Sequence, residues 1–308
     1  MKKKKMVKNV FFFIILFNLY TNLIAISNSP INIFILAGQS NMAGRGGVIA
    51  NIWDGIIPIE SSPNPSIYRF NAGLEWEQAN EPLHWDIDIR NNKTCGIGPG
   101  LAFANSILSR NPNLETVGLV PCAVGGTNIS QWEKGSFLYN QMIRRTLAAA
   151  AAAGGGAIRG VLWYQGESDT KEKKDSELYK GKLKMFFINL RSDLQNPFLP
   201  IIQVALASGE GHYVKEIREA QFSVGSELAN IRIVDAKGLP LNPDGLHLST
   251  QAQVRLGEML AQSFLNDLPL ASPILISSAL TKSIDFFLLS ISLCILEPSY
   301  FQCARFWA

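Results

Sequence analysis

Histidine, cysteine, charge and long apolar runs are all scarce in this chain, and each scarcity removes a class of function. Only three histidines occur in 308 residues, His84, His212 and His247, and no HExxH pair is formed. The four cysteines, Cys95, Cys122, Cys294 and Cys303, show none of the short spacings of a metal site, so no metal and no cofactor is implied. Cys95 and Cys122 could bridge in an oxidising compartment; buried free thiols are the alternative, because a domain of this size needs no staple. Charged residues make up 17% of the chain, and the net charge of +3 is misleading. Lys2, Lys3, Lys4, Lys5 and Lys8 stand in the first 30 residues with no acid among them, which leaves about −2 for the remainder. No basic stripe results, and nucleic acid is not expected as a partner. What is present is core-forming material. With 47% hydrophobic residues the chain can build one large α/β domain or two small ones, and general disorder is excluded.

The apolar runs fall short of the roughly 20 residues of a membrane span. The first, Val10–Phe17, follows the lysines and precedes NLYTNLIA. This is the charged and short apolar pattern of a secretory signal, read here as residues 1–27 with cleavage near Ala25 or Ser27. An uncleaved signal anchor is the alternative; otherwise no stable membrane partner is expected. Secretion would make Asn92, in Asn92-Lys93-Thr94, a glycan acceptor. A second sequon, Asn128-Ile129-Ser130, follows a glycine-rich loop where a glycan would crowd a cleft, and is expected to stay bare. The other apolar run, Ile284–Leu296, lies in residues 267–308, a segment that fits neither a span nor a lipid-anchor signal. It is read as a tail of unknown role.

Between these ends, strand and helix patterns alternate. Ile31–Leu36, Thr116–Val120, Ile158–Tyr164, Phe198–Leu206 and Ile231–Asp235 read as strands. Residues 101–110, 136–153, 171–191, 213–228 and 250–264 read as helices. Residues 51–93, punctuated by Pro58, Pro63, Pro65 and Pro82, read as one long irregular loop able to wall a cleft. Such alternation predicts βαβ units and a mainly parallel five-stranded sheet, with ligands outside the carboxyl ends of the strands. The polar and glycine-rich segments 38–41, 123–128, 165–169 and 235–247 all fall at those ends.

Two of these segments carry acyl-transfer chemistry. In INIFILAGQSNMAGRGG, a buried strand stops at Ala37-Gly38 and Ser40 follows at the start of the next helix, where free N–H groups can receive negative charge. A helix cap is the bland alternative for Ser40. In LNPDGLHLST, Asp244 and His247 share one turn, with Pro243 before and Gly245 inside it. Serine after the first strand and Asp-x-x-His before the last helix complete the parts of a hydrolytic triad. His212, in GEGHYVKE, is the rival base. Glu167 and Asp169 are rival acids, or else fix their loop by hydrogen bonds; Asp244 is expected to hold His247.

Four blocks in order, FILAGQSNMAGRGG, VPCAVGGTNISQW, LWYQGESD and DAKGLPLNPDGLHLS, resemble the plant probable carbohydrate esterases that carry a sialate O-acetylesterase-type domain. That family lies within the SGNH/GDSL hydrolase superfamily, and the resemblance covers about residues 31–266. It implies a flavodoxin-like SGNH hydrolase fold, a three-layer α/β/α sandwich. It places the nucleophile on Ser40, the DxxH pair on Asp244 and His247, and the oxyanion hole on the backbone of Ser40, on Gly126 and on the Gln165 amide. Gly125, Glu167 and Asp169 fall in supporting positions, and Trp132 and Asn128 near the substrate, with simple packing the alternative for Trp132. Met42 stands where the second glycine of G-x-S-x-G would be, so the α/β-hydrolase pattern is absent. The implied activity is a cofactor-free serine esterase acting on O-acetyl groups of carbohydrate, such as cell-wall polysaccharide, with the acetylated carbohydrate as partner and a monomer favoured. A GDSL-type lipase or esterase on other small esters, or an inactive carbohydrate-binding protein on the same fold, are the alternatives.

Overall fold

The apolar run that opens the domain becomes strand β1 (Asn32–Gly38), buried along its whole length. The structure, a computed structural model, describes residues 30–89 and 92–266. The leader read at 1–27 and the tail read at 267–308 lie outside the described residues. After β1 come the short helix α1 (Ser40–Ala43), the hairpin β2 (Val48–Ile49) and β3 (Ile52–Trp53), and strands β4 (Ile67–Phe70) and β5 (Trp76–Gln78). Then helices and strands alternate: α2 (Gly100–Arg110), β6 (Val117–Pro121), α3 (Phe137–Ala152), β7 (Ala157–Tyr164), α4 (Lys173–Asp193), β8 (Ile201–Ala205), α5 (Val214–Glu227), β9 (Ile231–Asp235) and α6 (Thr250–Leu265).

The main sheet runs β5-β4-β6-β1-β7-β8-β9 and is parallel except for the β4–β5 pair. It has seven strands where five were expected. The two extra ones lie in the stretch read as irregular loop. Strand β4 is only four residues long and buries Arg69 in its middle, so alternation of apolar and polar residues does not mark it. That guanidinium is held by Glu77 at 2.7 Å, Asp86 at 2.8 Å and the Leu83 carbonyl at 2.8 Å. A buried charge survives because each of its three nitrogens finds an acceptor, with two carboxylates among them.

Helices cover both faces, giving three layers. On one face α2 packs with α6, and Phe34 of β1 meets Phe103 and Phe264 edge-on at 5.0 and 4.9 Å. On the other, Trp163 of β7 packs against Trp132 and Phe186, with Tyr139 beside Phe186. Each such ring contributes roughly 1.5–3 kcal/mol by burial. Helix α3 runs down the alanine stretch and ends before Gly154, which adopts a left-handed φ. Ser249 starts α6, its Oγ accepting the Ala252 N–H at 3.3 Å.

Cys95 and Cys122 are buried and unbridged, and burial raises both thiols to about 11. Among the described residues no helix is long and apolar enough to cross a membrane. Since β1 lies between β6 and β7, the chain reverses its winding there, and the carboxyl ends of these three strands open into one crevice.

Candidate active site

Ser40 is set by the way β1 ends. Gly38 has φ +128°, and a Cβ there would lie 2.0 Å from the Tyr164 carbonyl oxygen, so only glycine lets the strand end press on β7. The Gln39 N–H then donates to that same carbonyl at 2.8 Å, and the chain turns into α1 with Ser40 as its first residue, 4% exposed.

The turn before α6 brings the other two residues to it. The Gly245 N–H donates to the Asn242 carbonyl at 3.0 Å, and the Asn242 N–H to the His247 carbonyl at 2.7 Å. Within this loop Asp244 Oδ1 accepts the N–H groups of Leu246 and His247 at 2.9 and 3.0 Å, and Oδ2 lies 2.6 Å from His247 Nδ1. His247 Nε2 lies 2.9 Å from Ser40 Oγ. With the Nδ1 proton donated to the carboxylate, Nε2 carries the lone pair that faces the serine hydroxyl. Burial pushes the Asp244 carboxyl up, but the His247 N–H, the His247 ring and the Leu246 N–H together leave it below the ordinary range. Burial lowers His247, and the charges of Arg45 and Lys93 act the same way; the Asp244 contact opposes them without reversing the shift. His212 is exposed on another loop.

Glu167 does not contact His247; it takes a different part. It is fully buried, and its Oε1 accepts the Asn41 side-chain N–H at 2.8 Å. Asn41 in turn bonds both sides of the histidine, accepting the Leu248 N–H at 2.9 Å and donating to the Leu246 carbonyl at 3.4 Å. Burial raises Glu167 to about 7, against the Asn41 bond. Asp169 is likewise raised to about 7 by burial, and accepts the Ile129 N–H at 3.0 Å and the Gln165 amide at 2.6 Å.

This geometry corrects the oxyanion role expected of Gln165. Its amide nitrogen has two protons, and the nearest acceptors are Asp169 at 2.6 Å and the Thr127 carbonyl at 2.8 Å, so it braces the two strand-end loops together. Trp132 is corrected too: it is fully buried, its indole N–H donates to Thr127 Oγ1 at 3.1 Å, and no ring face is left for a sugar. Asn128 is half-buried, its N–H capped by Gln131 Oε1 at 3.1 Å. Gly125 is buried, and its N–H donates to Asp88 Oδ1 at 3.0 Å. Gly126 is exposed with φ +71°, and its N–H has no acceptor among the described residues. Asn41, Arg45 and Asp88 were not singled out in the sequence. The one available signal was a lone arginine between glycines in AGRGG. No group of three or more His, Cys, Asp or Glu among the described residues is placed to hold a metal ion.

Residues 30–266 match the family described as carbohydrate esterase, sialic acid-specific acetylesterase. The chain is 54% identical over 248 residues to the Arabidopsis thaliana protein named Probable carbohydrate esterase At4g34215, covering 77% of this chain and 92% of that one. The X-ray structure of that Arabidopsis thaliana protein matches with a TM-score of 0.74 at 52% identity, over 78% of this chain and all 100% of that chain. The crystal structure of NanS shares the fold, with a TM-score of 0.60 at 19% identity, over 77% of this chain and 98% of that chain.

Proposed function

This chain belongs to the carbohydrate esterase, sialic acid-specific acetylesterase family, and on that premise we propose that it hydrolyses O-acetyl esters on carbohydrate with Ser40 as nucleophile, His247 as general base and Asp244 as the acid that orients it. The observation that carries this reading is the unbroken line from Ser40 Oγ through the His247 ring to Asp244, with steps of 2.9 and 2.6 Å. Ser40 attacks the acetyl carbonyl while His247 Nε2 takes its proton. The tetrahedral oxyanion is received by the N–H groups of Ser40 and Gly126, neither of which has a protein acceptor among the described residues. One such donor is worth roughly 3–4 kcal/mol in comparable sites. His247 then returns the proton to the departing sugar hydroxyl, and water repeats the sequence on the acetyl-serine.

Acetate release from a panel of acetylated xylan, pectin, mannan and sialosides tests the activity and names the glycan. A p-nitrophenyl ester series adds the acyl preference: acetate favoured with a sharp fall by butyrate supports a deacetylase, and rising activity with chain length supports a lipase-like enzyme instead.

We also propose entry to the secretory pathway, on the lysine-rich start and the apolar run Val10–Phe17, with a glycan on Asn92 and none on Asn128. A fluorescent fusion carrying the first thirty residues is expected to leave the cytosol; retention there would overturn the proposal.

A further inference from the structure

The glycine loop after β6 has its backbone donors accounted for from both ends. The Val124 N–H goes to the Gly38 carbonyl at 3.0 Å and the Gly125 N–H to Asp88 Oδ1 at 3.0 Å. Beyond them, the Asn128 N–H goes to Gln131 and the Ile129 N–H to Asp169. Among the described residues that leaves the N–H groups of Ala123, Gly126 and Thr127 without an acceptor, and Gly126 alone of the three is exposed. A Gly-Gly pair has wide backbone freedom, so its orientation must be imposed from outside.

Asp88 is placed to impose it. The residue is fully buried, and its second oxygen pairs with the Arg45 guanidinium, itself buried. Arg45 leaves the α1 segment that carries Ser40; its Nη1 donates to the Gly44 carbonyl at 2.8 Å, and its own carbonyl accepts from Asn242 in the histidine turn at 2.9 Å. Gly125 is wedged between this ion pair and the nucleophile. A Cβ on it would lie 2.8 Å from Arg45 Nη2, 3.0 Å from Asp88 Oδ2 and 3.3 Å from Ser40 Cβ. One buried pair therefore touches all three parts of the site.

We propose that Asp88, clamped by Arg45, is a positioning residue for the oxyanion site: it takes the Gly125 N–H and so leaves the Gly126 N–H as the loop's donor to the developing oxyanion. The inference rests on the esterase reading above. Nothing in Asp88 touches substrate. Its effect falls on the transition state, because the hole must be preorganised before charge develops.

Removing Asp88 alone strands a buried Arg45 charge and can unfold the protein. The comparison is therefore made in an Arg45→Gln background, with Asp88→Asn, which keeps an oxygen for the Gly125 N–H, against Asp88→Ala, which does not. The alanine version is expected to have a kcat at least about 30-fold below the asparagine version on p-nitrophenyl acetate, with KM within about threefold. Equal kcat in the two folded variants overturns the proposal. A measurement on the wild type needs no folded variant: amide hydrogen exchange before and after reaction with diethyl p-nitrophenyl phosphate. Gly125 is expected to be protected throughout, and Gly126 to become protected only in the adduct. Protection gained at Gly125 instead of Gly126 overturns the inference while leaving the esterase reading intact. A label that lands on a residue other than Ser40 defeats the esterase reading itself.

Discussion

At His247 burial and a carboxylate pull in opposite directions, and burial wins, so the imidazole titrates below its ordinary value of 6.5. Only the neutral ring can take the Ser40 proton. Activity is therefore expected to rise with pH along a limb whose midpoint lies below about 6.5, and a kcat/KM profile on p-nitrophenyl acetate measures it. A midpoint well above that value would show that the Asp244 contact outweighs burial. The two carboxylates that compete for the role of orienting acid separate by what they touch. Asp244 meets the ring nitrogen, and Glu167 meets Asn41. Asp244→Asn is expected to lower kcat by about 10⁴, the size of the effect in the serine-protease triad. Glu167→Gln keeps an oxygen for Asn41 and is expected to cost less than about tenfold. If Glu167→Gln loses the larger factor with an unchanged melting temperature, the acid has been misassigned.

Between elements, Asn41 does the joining. It sits in α1 beside the nucleophile and bonds Glu167 from the β7 end and both neighbours of His247 from the turn before α6. Asn41→Ala leaves the buried Leu248 N–H and the Glu167 carboxyl without that partner, so a loss of about 1–3 kcal/mol in stability is expected. A fall in kcat larger than the fall in KM should accompany it, checked by chemical denaturation beside steady-state kinetics. The elements themselves were legible in the sequence where burial is continuous or periodic. Strands β1 and β6 to β9 are near-unbroken apolar runs ending in polar loops, and the helices show their apolar faces. Strands β4 and β5 were hidden because β4 is short, is preceded by Pro63 and Pro65, and carries a buried arginine whose acceptors, Glu77, Asp86 and Leu83, lie 8 to 17 residues further on. The same reason divides the site. Ser40, Asp244 and His247 were legible because a strand end and a three-residue spacing fix them locally. The bracing of Thr127 by Gln165 and the contact of Asp88 with Gly125 join residues 38 and 37 apart, and Trp132 is buried against Trp163 and Phe186 of later elements, relations no local pattern encodes.

For the molecule as a whole, the buried acids set how stability changes with pH. Burial raises Glu167 and Asp169 to about 7 and Glu81 to about 8, all above their unfolded values. A raised acid keeps its proton in the folded state while the unfolded chain loses it. Its stabilisation is complete below the unfolded value and is lost as pH rises through the folded one. His84, lowered to about 3 by burial, acts in the other direction, its stabilisation being lost as pH falls from 6.5 toward 3. Three acids outweigh the two lowered histidines, His84 and His247, whose opposing effect ends by about pH 6.5, so the melting temperature is expected to fall between about pH 5 and pH 8, by at least about 5 °C, and Glu167→Gln should flatten part of that fall. A melting curve that rises over this range would mean the acids are ionised in the folded protein. The catalytic reading, by contrast, rests on one hydroxyl, that of Ser40. The most direct measurement is p-nitrophenyl acetate hydrolysis and acetate release from an acetylated glycan by Ser40→Ala beside the wild type, with melting curves for both. Equal melting temperatures with activity below about a hundredth of wild type are expected, and a Ser40→Ala protein that keeps more than that would contradict the assignment of Ser40 as the nucleophile.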